Sequence, residues 1–133
     1  MARTPSSTMR RRETPAYAVP PIDAFGEGGF RVAGARRDGH ILIIDGTTKA
    51  WPGGADPKAL TAEHFKAFLD RADKPDMVVL GVGEKLVHPP AEVRKAFREA
   101  GVGLEVLDTA TACRTYNLLA GEARRVCAAL IAV

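Results

Sequence analysis

The sequence is poor in the residues that most chemistries need. It has two cysteines, Cys113 and Cys127, which make no CxxC pair and sit near no second ligand cluster. That usage suits a reducing compartment, where a free thiol behaves as a small buried hydrophobe. The three histidines, His40, His64 and His88, are isolated, and none stands at metal-ligand spacing from Cys, Asp or Glu. No metal site is expected. Aromatic residues make up 6% of the chain and do not interleave with a basic run, so nothing has the pattern of a nucleic-acid face. No stretch approaches 18 uninterrupted apolar residues, so no membrane-spanning helix is expected. No internal repeat is visible.

What is present is a core. Hydrophobic residues are 46% of 133, enough for one domain that folds without disulfides or metals. The net charge is +3, but it is unevenly placed. Of 19 basic residues, Arg3, Arg10, Arg11 and Arg12 lie in residues 1–13, and of 16 acidic residues only Glu13 does. The rest holds 15 of each sign and is neutral. Residues 1–16 read as a disordered basic tail, and 17–133 as a single α/β domain. The tail has no apolar segment of a secretory signal and only a loose likeness to an organelle transit peptide. Pro5 and Pro15 interrupt any amphipathic helix there. No nucleic-acid partner is expected, because folded binders carry their positive charge on the body.

Along the domain, Phe30-Arg31-Val32 alternates like a half-buried strand, and Ile41–Ile44 is a short β-branched run. Arg36-Arg37-Asp38-Gly39 lies between them, and Asp-Gly predicts an antiparallel hairpin. Asp45-Gly46 ends the second strand, and Trp51-Pro52-Gly53-Gly54 reads as a loop. A helix is expected from Thr61, with Phe65, Phe68, Leu69 and Ala72 on one stripe. Met77–Leu80 is apolar on both faces, as a covered strand is. The Pro89-Pro90 pair opens a second helix through Val93, Ala96, Phe97 and Ala100, closed by Gly101. Val102, Leu104 and Val106 then lead into a strand parallel to the first, a βαβ unit with a right-handed crossover. Asp108 can cap a third helix, Thr109 to Ala120. Periodicity leaves Val126 to Val133 open between strand and short helix.

Several residues invite a functional reading. Gly81-Val82-Gly83 follows a central parallel strand, where open α/β sheets bind ligands. The third glycine of a dinucleotide fingerprint is missing, since Lys85 and Leu86 follow Glu84. A structural turn is preferred there, with a ligand-cleft wall as the competing reading. Cys113 as a nucleophile would need a base, such as His88 brought close by folding; a buried structural thiol is preferred. Trp51 could be a lid, a plug or a partner anchor, with packing slightly favoured. Arg114, Tyr116 and Asn117 put polar atoms on an apolar helix, either as satisfied core groups or as a cleft lining.

The run from Asp108 to Val126, containing Thr115-Tyr116-Asn117 and Glu122-Ala123-Arg124-Arg125-Val126, resembles the family that includes mitochondrial respiratory complex I assembly factor three. Ile22-Asp23-Ala24-Phe25-Gly26, Leu80-Gly81-Val82-Gly83 and the Pro89-Pro90 helix start fit the same pattern. Ala123 departs from it, standing where many relatives have glycine. The resemblance covers residues 17–132. It implies a central mixed sheet of about five strands with helices packed on it, and an antiparallel last strand from Arg124 to Ile131. It also implies a ligand or partner cleft formed by Trp51, Gly81, Gly83, Thr109, Ala112, Tyr116, Asn117 and Arg124. The function it implies is binding and assembly rather than catalysis, with no cofactor and no catalytic residue assigned. The implied partner is a protein: a respiratory complex I subunit, another assembly factor or a second copy in a homodimer. A small-molecule-binding protein or enzyme using the same cleft is the alternative. The implied location is cytoplasmic for a prokaryotic chain and the mitochondrial matrix for a eukaryotic one.

Overall fold

A computed structural model describes residues 21–53, 56–122 and 125–133. The expected tail, residues 1–16, lies outside the described residues, as do residues 17–20 and the positions of Ala123 and Arg124. Eight strands and three helices follow in the order β1 (Ile22–Gly26), β2 (Gly29–Val32), β3 (Ala35–Asp38), β4 (Ile41–Ile44), β5 (Thr47–Ala50), α1 (Lys66–Leu69), β6 (Met77–Gly81), α2 (Ala91–Ala100), β7 (Gly103–Leu107), α3 (Thr109–Ala120) and β8 (Val126–Leu130). Two 3₁₀ turns, Pro57–Ala59 and Ala62–Phe65, precede α1.

The strands form two sheets. One is three-stranded, in the order β1-β2-β3; the other is a mixed five-stranded sheet, in the order β5-β4-β8-β6-β7. The apolar runs explain the centre of the larger sheet. Every residue of β8 is buried, and so are Val78, Val79, Leu80 and Gly81 of β6. Side chains alternate across the sheet. Leu42, Val78, Leu80, Cys127 and Ala129 face a core with Phe65 and Phe68 and with Val93 and Phe97 of α2. Ile41, Ile43, Val79, Ala128 and Leu130 face a second core with α3 and the small sheet. The molecule is therefore three layers, with α1 and α2 on one face of the five-stranded sheet and α3 beside β1-β2-β3 on the other.

The strand–helix–strand unit is as expected. β6 and β7 are parallel, in register from Met77 opposite Gly103 to Gly81 opposite Leu107. Gly101 closes α2 in the left-handed conformation, at φ 74°. Asp108 caps α3 by accepting from the Thr111 amide. The last apolar run is a strand, which settles the ambiguity that periodicity left.

Three expectations need correction. The hairpin does not join Phe30–Val32 to Ile41–Ile44 through Asp38-Gly39. Instead Ala33-Gly34 turns β2 into β3, and Asp38 ends β3. A two-residue hairpin loop of type I′ needs positive φ at both positions, and Ala33 (50°) with Gly34 (82°) supplies it, as do Glu27-Gly28 and Asp45-Gly46. Asp45-Gly46 thus does more than end a strand; it turns β4 back into β5. The first helix is also not continuous from Thr61 to Ala72. It breaks into a 3₁₀ turn and a single α-helical turn. The His64 carbonyl, which an unbroken α-helix would pair with the Phe68 amide, accepts from the Trp51 indole at 3.0 Å. Finally, β8 is antiparallel to β4 but parallel to β6. It reaches the sheet through α3, a crossover that makes it parallel to β6 and β7, and so becomes the strand where the sheet changes sense.

Candidate functional site

The chain leaves β6 toward α2 on one face and leaves β7 toward α3 on the other. Adjacent strands whose connections diverge in this way open a crevice at their carboxyl ends. Here the crevice is bounded by Gly81, Val82 and Gly83 on one side and by Leu107, Asp108 and Thr109 on the other. It is stitched shut. The Val82 amide donates to the Leu107 carbonyl (2.9 Å) and the Thr109 amide to the Gly83 carbonyl (2.8 Å). The Thr109 side chain, fully buried, fills what remains. Its hydroxyl donates to the Ile131 carbonyl at 2.7 Å and accepts from the Gly83 amide at 2.9 Å. Gly81 permits this approach: a Cβ there would lie 3.0 Å from the Thr109 hydroxyl oxygen and 3.1 Å from Thr109 Cα.

The first turn of α3 is likewise occupied. The Asp108 carboxylate accepts from the Thr111 hydroxyl (2.7 Å) and amide (3.1 Å), which hold it below the usual carboxylate range. The chain's own carboxylate thus sits where a helix N-terminus would attract an anion.

Farther along α3, Ala112 and Tyr116 are buried in the core shared with Phe30, Val79 and Ala128. Asn117 reaches β1, accepting from the Ile22 amide at 2.8 Å and donating to the Ile22 carbonyl at 2.9 Å. Arg114 is exposed. Cys113 is buried, and that burial pushes its thiol up to about 12, far from a nucleophile's range. Trp51 lies on the opposite face of the sheet. It is buried, packs at 5.6 Å against Phe65, and leaves no room for a side chain at Gly53. The structure therefore brings Gly81, Gly83 and Thr109 together, continues through Ala112, Tyr116 and Asn117 along α3, and keeps Trp51 apart. Arg124 falls outside the described residues.

Each histidine has a structural partner. His40 Nδ1 accepts from the Ala132 amide, His64 Nδ1 accepts from the Thr61 amide, and the Arg94 guanidinium donates to His88 Nδ1. Among the described residues no three His, Cys, Asp or Glu side chains gather in a metal-binding group, and no helix is long and apolar enough to cross a membrane.

One cluster was not foreseen. The Asp45 carboxylate receives the guanidiniums of Arg71 (2.6 Å) and Arg125 (3.2 Å), and Arg125 also donates to Asp73 at 2.7 Å. Burial alone would raise the Asp45 pKa; the hydrogen bonds from Arg71 and Arg125 outweigh it and hold the pKa low. Residues 45, 71, 73 and 125 are too far apart in sequence for any spacing rule to join them.

Comparison with known proteins places this architecture. Residues 22–131 match the family described as protein of unknown function (DUF498/DUF598). An uncharacterized protein of Rhodobacter capsulatus is 37% identical over 92% of this chain and 93% of its own length. NADH dehydrogenase [ubiquinone] 1 alpha subcomplex assembly factor 3 of mouse is 34% identical over 83% of this chain, which spans only 59% of that protein. The human protein of the same name is 31% identical over 97% of this chain and 68% of its own. A solved structure, described as an outer membrane protein from Bartonella henselae, superposes with a TM-score of 0.79 at 32% identity, over 91% of this chain and 99% of that one. The chain belongs to the DUF498/DUF598 family, whose members include the complex I assembly factor 3 proteins and uncharacterised bacterial relatives.

Proposed function

We propose that this protein is a non-catalytic binding module that assists assembly of the NADH:quinone oxidoreductase or a related membrane-associated enzyme. The observation that carries the reading is the closed crevice. Where an α/β domain of this topology would hold a small ligand, Thr109 is buried between Gly83 and Ile131 with its hydroxyl satisfied on both sides. What such a domain offers a partner is its surface. The assembly-factor name of the mouse and human relatives supports the choice of partner class. On this reading a prokaryotic chain works in the cytoplasm and a eukaryotic one in the mitochondrial matrix, against a complex I subunit or a second assembly factor.

Deleting the gene and resolving membrane complexes on native gels tests it. Accumulation of partly built enzyme is expected, and a normal complement of the full enzyme would contradict it. A second reading keeps a small-molecule site at the Gly83 turn, whose outer side is open: a side chain there would meet nothing within 4 Å. Metabolite-dependent thermal stabilisation of the intact protein would favour that reading over assembly.

A further inference from the structure

The five-stranded sheet ends in an open edge. Among the described residues, β5 pairs with β4 on one side and with no strand on the other. The two-residue Asp45-Gly46 turn makes Ile44 and Thr47 a hydrogen-bonded pair, so Leu42 and Lys49 are the next such pair and His40 and Trp51 the one after. The Trp51 amide indeed donates to the His40 carbonyl at 2.9 Å. The backbone N–H and C=O groups of Thr48 and Ala50 therefore point outward, with no backbone partner among the described residues.

Beside this edge runs a groove. Lys49 and Thr47, opposite Leu42 and Ile44, lie on the sheet face that packs against residues 62–71. Two hollows that share Ala67 occupy the space between. One, about 210 Å³, is lined mainly by apolar groups of Leu42, Trp51 and Pro52, with His64 and the mutually ion-paired Glu63 and Lys66 at its side. The other, about 450 Å³, is flanked by Lys49 and Arg71. Asp45 in its wall is already engaged by Arg71 and Arg125, whereas Lys49 makes no ion pair among the described residues.

We propose that the β5 edge and this groove dock an extended segment of a partner protein, added as a sixth strand. Its alternate side chains enter the groove, an apolar one against Trp51 and Leu42 and an acidic one against Lys49 and Arg71. This deepens the assembly reading and rests on it. Strand addition takes affinity from the main chain and specificity from pockets for alternate side chains. The charge argues for an acidic partner and against a second copy, because β5 is Thr47-Thr48-Lys49-Ala50 and offers no carboxylate. The edge of the small sheet is less suited. β3 carries Arg36, Arg37 and Asp38 in succession, a density of charge that guards an edge against pairing.

The test is selection of the intact protein against a display library of random short peptides. Enrichment of peptides with an apolar and an acidic residue two positions apart is expected, with binding read from Trp51, the single tryptophan. Lys49→Glu should weaken the selected peptides about tenfold and favour lysine in place of the acid. Thr48→Pro, at an outward amide where proline spares the β4 ladder, should abolish binding while leaving the melting temperature near that of the parent. No enrichment, or enrichment indifferent to both variants, would overturn the proposal. The deletion strain separates the two readings. If it loses assembled enzyme and both variants restore it fully, the docking edge fails and the assembly reading stands. If peptides enrich as expected but deletion has no effect, the edge stands and the assembly reading fails.

Discussion

Asn117 holds Ile22 at both ends of its backbone: the side-chain carbonyl accepts the Ile22 amide at 2.8 Å, and the side-chain amide donates to the Ile22 carbonyl at 2.9 Å. The two residues are 95 positions apart. One side chain of α3 thus acts as an extra strand for β1 and ties the small sheet to the rest of the domain. Replacing it with alanine leaves two backbone groups unsatisfied and should cost about 1–3 kcal/mol. Urea denaturation measures the loss. Hydrogen exchange should show the β1 amides opening faster while β6 and β8 stay protected.

Gly81→Ala should be destabilising by about 1–3 kcal/mol, because the new methyl would lie 3.0 Å from both the Leu130 side chain and the Thr109 hydroxyl oxygen and 3.1 Å from Thr109 Cα, all packed in the core. Thr109→Val keeps the shape and removes the hydroxyl, so the Gly83 amide and Ile131 carbonyl each lose a partner. A loss of about 1–3 kcal/mol is expected, read as a lower denaturation midpoint at unchanged slope.

Asp45 should make stability depend on acid. Its pKa is lower in the folded chain than the ordinary 3.8, because Arg71 and Arg125 favour the carboxylate. The contribution is fully present above that ordinary value and is lost as the pH falls from about 3.8 through the folded value. Thermal melts across the acid range should show Asp45→Asn less stable than the parent at neutral pH, with the gap closing as the pH drops. A gap that widened in acid would contradict the ion cluster.

Both thiols should be silent while the chain is folded. Burial raises Cys127 and takes Cys113 to about 12. Labelling with a thiol reagent near pH 8 should be negligible for the native protein and rapid after denaturation. Fast native labelling of Cys113 would reopen the nucleophile reading.

The sequence was most readable where local rules and tertiary packing agree. α3 announced itself through the Asp108 cap and the buried Ala112 and Tyr116. β6 did so through a run that needs cover on both faces. It misled where two turns competed. Asp38-Gly39 is the stronger dipeptide signal, yet Ala33-Gly34 makes the turn, because the pairing of β3 with β2 decides and no dipeptide records it. The broken first helix depends on the Trp51 indole reaching the His64 carbonyl, a contact across 13 residues. The candidate cleft was legible only in part. Gly81, Gly83 and Thr109 do meet, but the hydroxyl that fills their crevice could not be placed before the fold was known. The Asp45 cluster left no sequence signal.

The most direct measurement of the central claim is the NADH:quinone oxidoreductase activity of membranes from a deletion strain, divided by the amount of fully assembled enzyme they contain. An assembly module predicts less assembled enzyme with an unchanged activity per assembled enzyme, restored by a plasmid copy of the gene. Normal amounts of enzyme, or a full complement with reduced activity per enzyme, would contradict it.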